Sequence, residues 1–213
     1  MALEKIECYK CKKLLAENLV LPKGLCVYCA ADEADQLPEP QKQQKESKKE
    51  QNAQIRAEQE LAKRILSRKR MLPFVEKFNP DYQAGWVHKD ICQRLEKFSQ
   101  DVAEKKSPRL MLFMPPRHGK STLASIAFPA WHLGRNPGHE FISCSYSGSL
   151  AMSFSRKVRQ VLREPNYKKI FEDARLDKDS QSVESWQTTQ GGGYVAAGVG
   201  GGITGKGAHV LLI

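Results

Sequence analysis

The chain has 213 residues, of which 40% are hydrophobic and 27% are charged. This composition is typical of a soluble globular protein, and no apolar run approaches the roughly 20 residues of a membrane-spanning helix or resembles a secretion signal, so we expect an intracellular protein. The formal net charge of +10 favours an acidic partner such as nucleic acid, although a basic surface that only keeps the protein soluble has the same composition.

Residues 1–31 form a first region, because they hold four of the six cysteines. Cys8 and Cys11 make one Cys-x-x-Cys pair, Cys26 and Cys29 make a second, and fourteen residues separate the pairs. This spacing is close to that of four-cysteine zinc sites, and four thiolates suit tetrahedral Zn²⁺. We therefore expect a zinc-finger-like module that depends on its metal for folding. Disulfides or unrelated free thiols are the alternative.

Residues 32–70 form a charged linker that is rich in Glu, Gln, Lys and Arg. Apolar residues recur at helical spacing in its second half, which predicts an exposed helix over Gln51–Lys69 after a flexible lead. Glu60 precedes Arg64 by four residues, the spacing of an ion pair on one helix face. The basic end of this helix could follow a phosphate backbone, or the helix could be a solvated linker.

Residues 71–213 alternate strand-like and helix-like segments. Short apolar runs predict buried strands at Leu110–Met114 and Phe141–Tyr146. Helical patterns follow them at Ser121–Gly134 and Ser149–Arg163. Strands that alternate with helices of this length predict an α/β fold built on a parallel sheet with flanking helices.

The end of the chain combines a glycine-rich stretch with a final apolar run. Glycines are dense between residues 191 and 207, and Val210–Ile213 follows them. We expect a hairpin or a tight loop between a segment at Tyr194–Val199 and a last strand.

A phosphate-binding loop, or P-loop, is predicted where the first strand meets the first helix of this region. The standard pattern is Gly-x-x-x-x-Gly-Lys-Ser/Thr between a strand and a helix, and here Met114 replaces the first glycine. Gly119 lets the main chain approach phosphate, Lys120 can reach the β- and γ-phosphates, and Ser121 can place its hydroxyl on Mg²⁺. The predicted nucleotide-binding residues are Pro115, Pro116, Arg117, His118, Gly119, Lys120, Ser121 and Thr122.

Arg117 lies inside this loop and has two interpretations. A guanidinium there can stabilise charge on a transferred phosphoryl group, which makes Arg117 and Lys120 the candidate catalytic residues. Alternatively, Arg117 only binds ground-state phosphate or makes a structural ion pair. Other chemically capable side chains carry no metal or triad spacing, so we expect structural or core positions for His88, His132, His139, His209, Trp86, Trp131, Trp186, Cys92 and Cys144.

The string PPRHGKST resembles the Walker A motif of the large terminase subunit of tailed bacteriophages. Three further segments are similar to that family in the same order: residues 79–88, residues 141–159, and the glycine-rich stretch that runs into Val210–Ile213 as the Walker B strand. The resemblance covers about residues 71–213 and implies a P-loop ATPase that drives double-stranded DNA into a preformed capsid. It also implies a homo-oligomeric ring on the capsid portal, a small terminase subunit as partner, no membrane, and a location in the host cytoplasm.

The resemblance also assigns roles to individual residues. Lys120 and Ser121 match the phosphate and magnesium positions, and Arg117 matches an arginine that senses or stabilises the γ-phosphate. Tyr82 and Gln83 fall where family members place an adenine-contacting segment, and a core aromatic is the alternative for Tyr82. The cofactors implied are ATP and Mg²⁺, beside the Zn²⁺ expected from the cysteines.

The acidic residues that family members place after the Walker B strand do not follow Ile213 in this sequence. We therefore expect weak nucleotide binding with little turnover from this chain alone, and an exposed apolar sheet edge that either makes the chain poorly soluble or is completed by a partner. Two other functions share many of these features. One is a helicase-like nucleic-acid translocase, and the other is a zinc-finger DNA- or protein-binding module with a non-hydrolysing nucleotide domain.

Overall fold

The computed structural model describes residues 5–16, 20, 24–35 and 39–213. The chain divides into two compact units, Met1–Glu58 and Gln59–Ile213. In the described residues, no helix combines the length and the apolar character that crossing a membrane requires.

The first unit begins with two short antiparallel strands, β1 (Lys5–Glu7) and β2 (Leu14–Ala16). Helix α1 (Val27–Asp35) follows, and the long helix α2 (Glu39–Lys69) begins in this unit. Among the described residues of this unit, the buried ones are Cys8, Leu25, Cys26 and Cys29. Three of these four are cysteines, as expected of a module too small to bury a large apolar core.

Helix α2 is longer than the predicted Gln51–Lys69, and the flexible lead predicted before residue 51 is wrong from Glu39 onward. The segment consists largely of Glu, Gln, Lys and Ala, which have high helix propensity, and Pro40 lies in the first turn where proline is tolerated. The predicted ion pair is present, since the Arg64 Nε donates to Glu60 Oε1 at 3.1 Å. Lys77 donates to the same carboxylate at 2.8 Å.

Two helices precede the phosphate loop, α3 (Met71–Phe78) and α4 (Trp86–Ala103). Helix α3 buries Phe74 and Val75. The main-chain N–H of Met71 donates to a Glu96 carboxylate oxygen at 2.6 Å, so the first turn of α3 is tied to α4.

A five-stranded sheet has the order β4-β5-β6-β3-β7. Its strands are β3 (Glu140–Ser145), β4 (Leu176–Gln181), β5 (Ser185–Thr188), β6 (Gly193–Gly198) and β7 (Val210–Leu212). Strand β3 pairs in parallel with both β6 and β7, whereas β4, β5 and β6 pair antiparallel. The fold is therefore mixed α/β with a mixed sheet, and the prediction of a parallel sheet holds only for its β6-β3-β7 part.

The helices of this unit follow the predicted order. A π-helix (Thr122–Ala127) runs directly into α5 (Phe128–Arg135), which covers the predicted Ser121–Gly134. Helix α6 (Gly148–Arg163) confirms the predicted Ser149–Arg163, and a short helix α7 (Pro165–Ile170) follows. Helix α6 packs closely on the sheet, because a Cβ at Gly198 of β6 would collide with the main chain of Gly148.

The predicted strand at Leu110–Met114 is wrong. These residues make no strand ladder, and Met111 and Phe113 are 80% and 91% exposed. Leu110, Leu112 and Met114 instead pack partly buried against the core. A continuous apolar run therefore has one side in the core and one side in solvent.

The predicted hairpin before the last strand is also wrong, although a loop is present. Strands β6 and β7 lie on opposite sides of β3 and run parallel to it, so residues 199–209 form a crossover between them. A hairpin would have required antiparallel neighbours.

The core of the second unit is aromatic. The rings of Phe141, Tyr194 and Trp186 stack in sequence across the sheet, with centroids 5.8 and 5.2 Å apart. Trp131 is fully buried and donates from its Nε1 to the Ser67 carbonyl at 3.0 Å. The core prediction is wrong for Trp86, which is 81% exposed at the first position of α4.

Candidate phosphate-binding site and cysteine cluster

The loop between Met114 and the π-helix contains two residues with a left-handed backbone. Arg117 has a φ of 63° and Gly119 a φ of 81°. Glycine adopts this conformation freely, whereas for arginine it costs energy and is uncommon outside constrained loops. Strained positions of this kind cluster at functional sites, so the strain at Arg117 makes this loop a candidate functional site.

Contacts within the loop fix its shape. The Nδ1 of the His118 ring donates to the Pro116 carbonyl at 2.7 Å, and the Lys120 ammonium donates to the Met114 carbonyl at 3.4 Å. The Gly119 carbonyl accepts the first helical hydrogen bond, from the Leu123 N–H at 3.0 Å. The helix therefore starts directly behind Gly119, and its N-terminal N–H groups face the loop.

A π-helix directly after the loop is unusual. The Phe128 N–H donates to the Leu123 carbonyl, five residues earlier, and Leu123, Ala124 and Ala127 are buried. Such wide turns are rare and are found often at functional sites. Ser121, just before this segment, is exposed at the mouth of the loop.

An open groove of about 890 Å³ joins the loop to the sheet. Lys120 and Ser121 line it together with the carboxyl ends of all three parallel strands. In open α/β sheets, ligands bind in the crevice outside these strand ends, and the volume is in the range of small-molecule sites. The other lining residues include Leu110–Phe113 on one side and Leu211, Leu212 and Ile213 on the other.

Tyr82 lies against the loop, whereas Gln83 is exposed, and the predicted adenine contact of both residues stays a prediction. The Tyr82 hydroxyl oxygen is 3.2 Å from the position that a Cβ on Gly119 would take. Burial raises the pKa of Tyr82 to about 12, and its hydroxyl makes no hydrogen bond in the described part of the chain. Gln83 is exposed beside it.

The four predicted zinc ligands converge. Their sulfur atoms all lie within 4.8 Å of one another, and those of Cys11 and Cys26 are 3.9 Å apart. Tetrahedral zinc with Zn–S bonds of about 2.3 Å places neighbouring sulfurs about 3.8 Å apart. The cluster therefore has the dimensions of a metal site and could hold a metal such as zinc.

The electrostatics of the cluster also favour a cation. Main-chain N–H groups of Cys11 and Cys26 donate to the Cys8 sulfur and lower its pKa to about 6. Hydrogen bonding with Cys26 raises the pKa of Cys29 to about 12. Four thiolates at this separation repel one another, and the positive charge of a bound metal ion would offset that repulsion and so favour their deprotonation.

The comparison with protein families gives one match, which covers residues 111–213. The matching family is described as the terminase large subunit, T4likevirus-type, N-terminal. This part of the chain is similar to that family. No match was found among curated proteins or among solved structures.

The matched segment contains the predicted phosphate loop, the π-helix and all three parallel strands, so the family match and the groove coincide. The expectation of a structural His88 missed a contact to this segment, because the His88 Nε2 lies 3.1 Å from the His118 carbonyl oxygen. A sequence signal was available, since His88 stands three residues after Gly85 at the start of a helix, the spacing of a capping contact.

Proposed function

We propose that residues 59–213 bind MgATP and form the ATP-binding part of a viral DNA-packaging motor, in which ATP hydrolysis is coupled to translocation of double-stranded DNA into the capsid. The observation that carries this proposal is the position of Lys120 and Ser121. Both line the groove at the carboxyl ends of β3, β6 and β7, within the segment that matches the terminase family.

The loop residues supply the contacts that a triphosphate needs. The hydrogen bond described for the Lys120 ammonium is a long one, to the Met114 carbonyl at 3.4 Å, so phosphate oxygens are better acceptors for it. The Ser121 hydroxyl holds Mg²⁺, and the main-chain N–H groups from Gly119 onward bind phosphate. Pro115, Pro116, His118 and Thr122 shape the loop around these groups.

Arg117 and the segment before α4 complete the nucleotide site. The exposed Arg117 guanidinium contacts the γ-phosphate and stabilises charge during transfer. Tyr82 closes the side of the loop next to Gly119. Gln83, exposed beside Tyr82, provides the contact to the adenine base.

Cys8, Cys11, Cys26 and Cys29 hold Zn²⁺ in this proposal. The ion is structural, because four sulfur ligands leave no coordination position for a substrate. Its chemistry is to neutralise the thiolates and to cross-link the β1–β2 turn to the start of α1.

The proposed partners follow from charge and family. A net charge of +10 suits double-stranded DNA, and the basic end of α2 is one surface for its phosphates. The capsid portal, a small terminase subunit and further copies in a ring are the protein partners. The motor works in the host cytoplasm.

Calorimetric titration of the chain with MgATP tests the nucleotide site. Lys120→Ala removes the ammonium, and we expect affinity about 10- to 100-fold lower, because a charge-assisted hydrogen bond contributes about 1.5–3 kcal/mol. Lys168→Ala, an exposed lysine on α7, is the matched control and should bind as the unmodified chain does. Equal affinity of all three proteins would refute the site.

A further inference from the structure

His88 connects the start of α4 to the phosphate loop. The Gly85 main-chain N–H donates to His88 Nδ1 at 3.0 Å. On the other side of the same ring, Nε2 lies 3.1 Å from the carbonyl oxygen of His118. One imidazole therefore contacts both the start of its own helix and a loop residue thirty positions further along the chain.

These two partners determine which ring nitrogen carries the proton. A main-chain N–H can only donate, so Nδ1 must be the unprotonated acceptor. A carbonyl oxygen can only accept, so Nε2 must carry the hydrogen and donate it to His118. His88 is thus neutral with its proton on Nε2.

The contact to His118 also orients the next peptide group. The peptide bond between His118 and Gly119 is planar and trans, so its carbonyl oxygen and its N–H point in opposite directions. Because Nε2 holds the oxygen on the α4 side, the Gly119 N–H points away from α4. No other orientation of this peptide keeps the hydrogen bond to His88.

We propose that His88 is a positioning residue for the phosphate loop. It holds the His118–Gly119 peptide so that the Gly119 N–H faces the bound phosphate, and it acts through the loop without touching the nucleotide. This inference rests on the proposed MgATP site and adds a residue that supports the site from outside the loop.

Tyr82 reinforces this arrangement. Its ring meets the His88 ring edge-on, with centroids 5.5 Å apart, and its hydroxyl oxygen covers Gly119. A Cβ on Gly119 would also lie 3.6 Å from His88 Nε2. The α4 side of Gly119 is therefore filled by two side chains, which leaves the opposite side of its peptide for an anion.

A merely structural His88 would only cap α4, and two conservative variants separate the two roles. In His88→Asn, the amide oxygen takes the place of Nδ1 and still accepts from Gly85, but the side chain is too short to reach His118. In His88→Gln, the amide nitrogen takes the place of Nε2 and can still donate to the His118 carbonyl.

Titration of the full chain with MgATP then distinguishes these roles. We expect His88→Asn to bind MgATP about five- to tenfold more weakly with an unchanged melting temperature, as the loss of one hydrogen bond implies. His88→Gln should stay within about twofold of the unmodified chain, since it keeps that bond. Unmodified affinity in His88→Asn, or an equal loss in both variants, would overturn the inference while leaving the MgATP site intact.

A spectroscopic measurement tests the contact without nucleotide and without variants. Long-range ¹H–¹⁵N correlation spectra of the imidazoles should show His88 neutral with its proton on Nε2. A proton on Nδ1 would refute the positioning role whether or not MgATP binds. Absence of MgATP binding to the unmodified chain, with the Nε2 proton present, would instead refute the proposed function and with it the phosphate-directed role of His88.

Discussion

The cysteine module and the phosphate loop use the same backbone device in different surroundings. Each combines one lysine or arginine with one glycine in the left-handed region, Lys12 and Gly24 in the module and Arg117 and Gly119 in the loop. In the module, the candidate ligand atoms are themselves the interior, whereas the loop lies outside an aromatic core that is complete without it. The comparison teaches that ligand removal should unfold one region and leave the other folded.

Metal removal tests this contrast with the largest expected effect. A chelator should unfold residues 5–35, because metal binding in small four-cysteine modules supplies on the order of 10 kcal/mol of folding free energy. Residues 59–213 should keep their melting temperature. Hydrogen exchange measured before and after chelation, together with the zinc content, checks both statements.

Cysteine variants provide the matched control for that experiment. Cys26→Ser removes the sulfur that contacts Cys11 and accepts from the Cys29 N–H, so bound zinc should be lost. Cys144→Ser, on β3, should retain one zinc per chain. Unchanged protection of residues 5–35 in the Cys26→Ser protein would contradict a metal-dependent interior.

The second prediction concerns acid, which should act on the aromatic core. His132 is fully buried between Ser99 Oγ at 2.8 Å and His139 Nδ1 at 3.1 Å. Burial first, then the neighbouring His139, Arg135 and His209, lower its pKa to about 3. The unfolded chain has a histidine pKa of about 6.5, so below that pH the unfolded state binds a proton at this side chain and the folded state does not.

The sign follows directly from this difference. The contribution of His132 to stability is complete above pH 6.5 and is lost as the pH falls towards 3. We expect a loss of about 1 kcal/mol in the free energy of unfolding between pH 7.5 and 5.5, measured by urea denaturation of residues 59–213. The lowered pKa of His139 acts in the same direction.

His132→Asn checks the assignment of this pH dependence to one side chain. The variant should be less stable at pH 7.5, because it leaves space in the core, but it should lose less stability on acidification. A slope as steep as that of the unmodified chain would assign the effect to other groups.

The convergence of the four cysteines could be predicted from the sequence because it depends on spacing within a short segment. The phosphate loop was predicted from PPRHGKST on the same kind of local spacing, and its nucleotide contacts stay a prediction. The support of the loop could not be predicted, since the His88–His118 contact joins residues thirty positions apart. The prediction of a strand at Leu110–Met114 was wrong for a related reason. Hydrophobicity predicts burial, but whether such a run pairs depends on neighbouring strands that sequence alone does not position.

Other errors came from local signals that were read too simply. Helix α2 begins at Glu39, earlier than predicted, because the charged and polar residues before Gln51 favour helix rather than a flexible lead. Trp86 was placed in the core by its residue type, but the first position of α4 faces solvent. The π-helix at Thr122–Ala127 has the same apolar pattern as an ordinary helix, so no periodicity would have revealed it.

The smallest expected effect tests the backbone device itself, at Arg117. The φ of 63° means that any side chain at this position has a strained backbone, and only glycine avoids the strain. Arg117→Ala and Arg117→Gly both lose the guanidinium but differ in strain. We expect the glycine variant to be more stable than the alanine variant by about 1 kcal/mol, reduced somewhat by the greater freedom of glycine in the unfolded chain.

Nucleotide affinity separates the side chain from the backbone in the same pair of proteins. If the guanidinium binds phosphate, both variants should bind MgATP equally weakly, whereas a purely conformational role of Arg117 would let the glycine variant bind as the unmodified chain does. Equal stability of the two variants in urea would show that the left-handed backbone stores no strain. The loop would then lack the backbone strain that is common in functional turns of this geometry. The presence of arginine at position 117 would be explained by its charge alone.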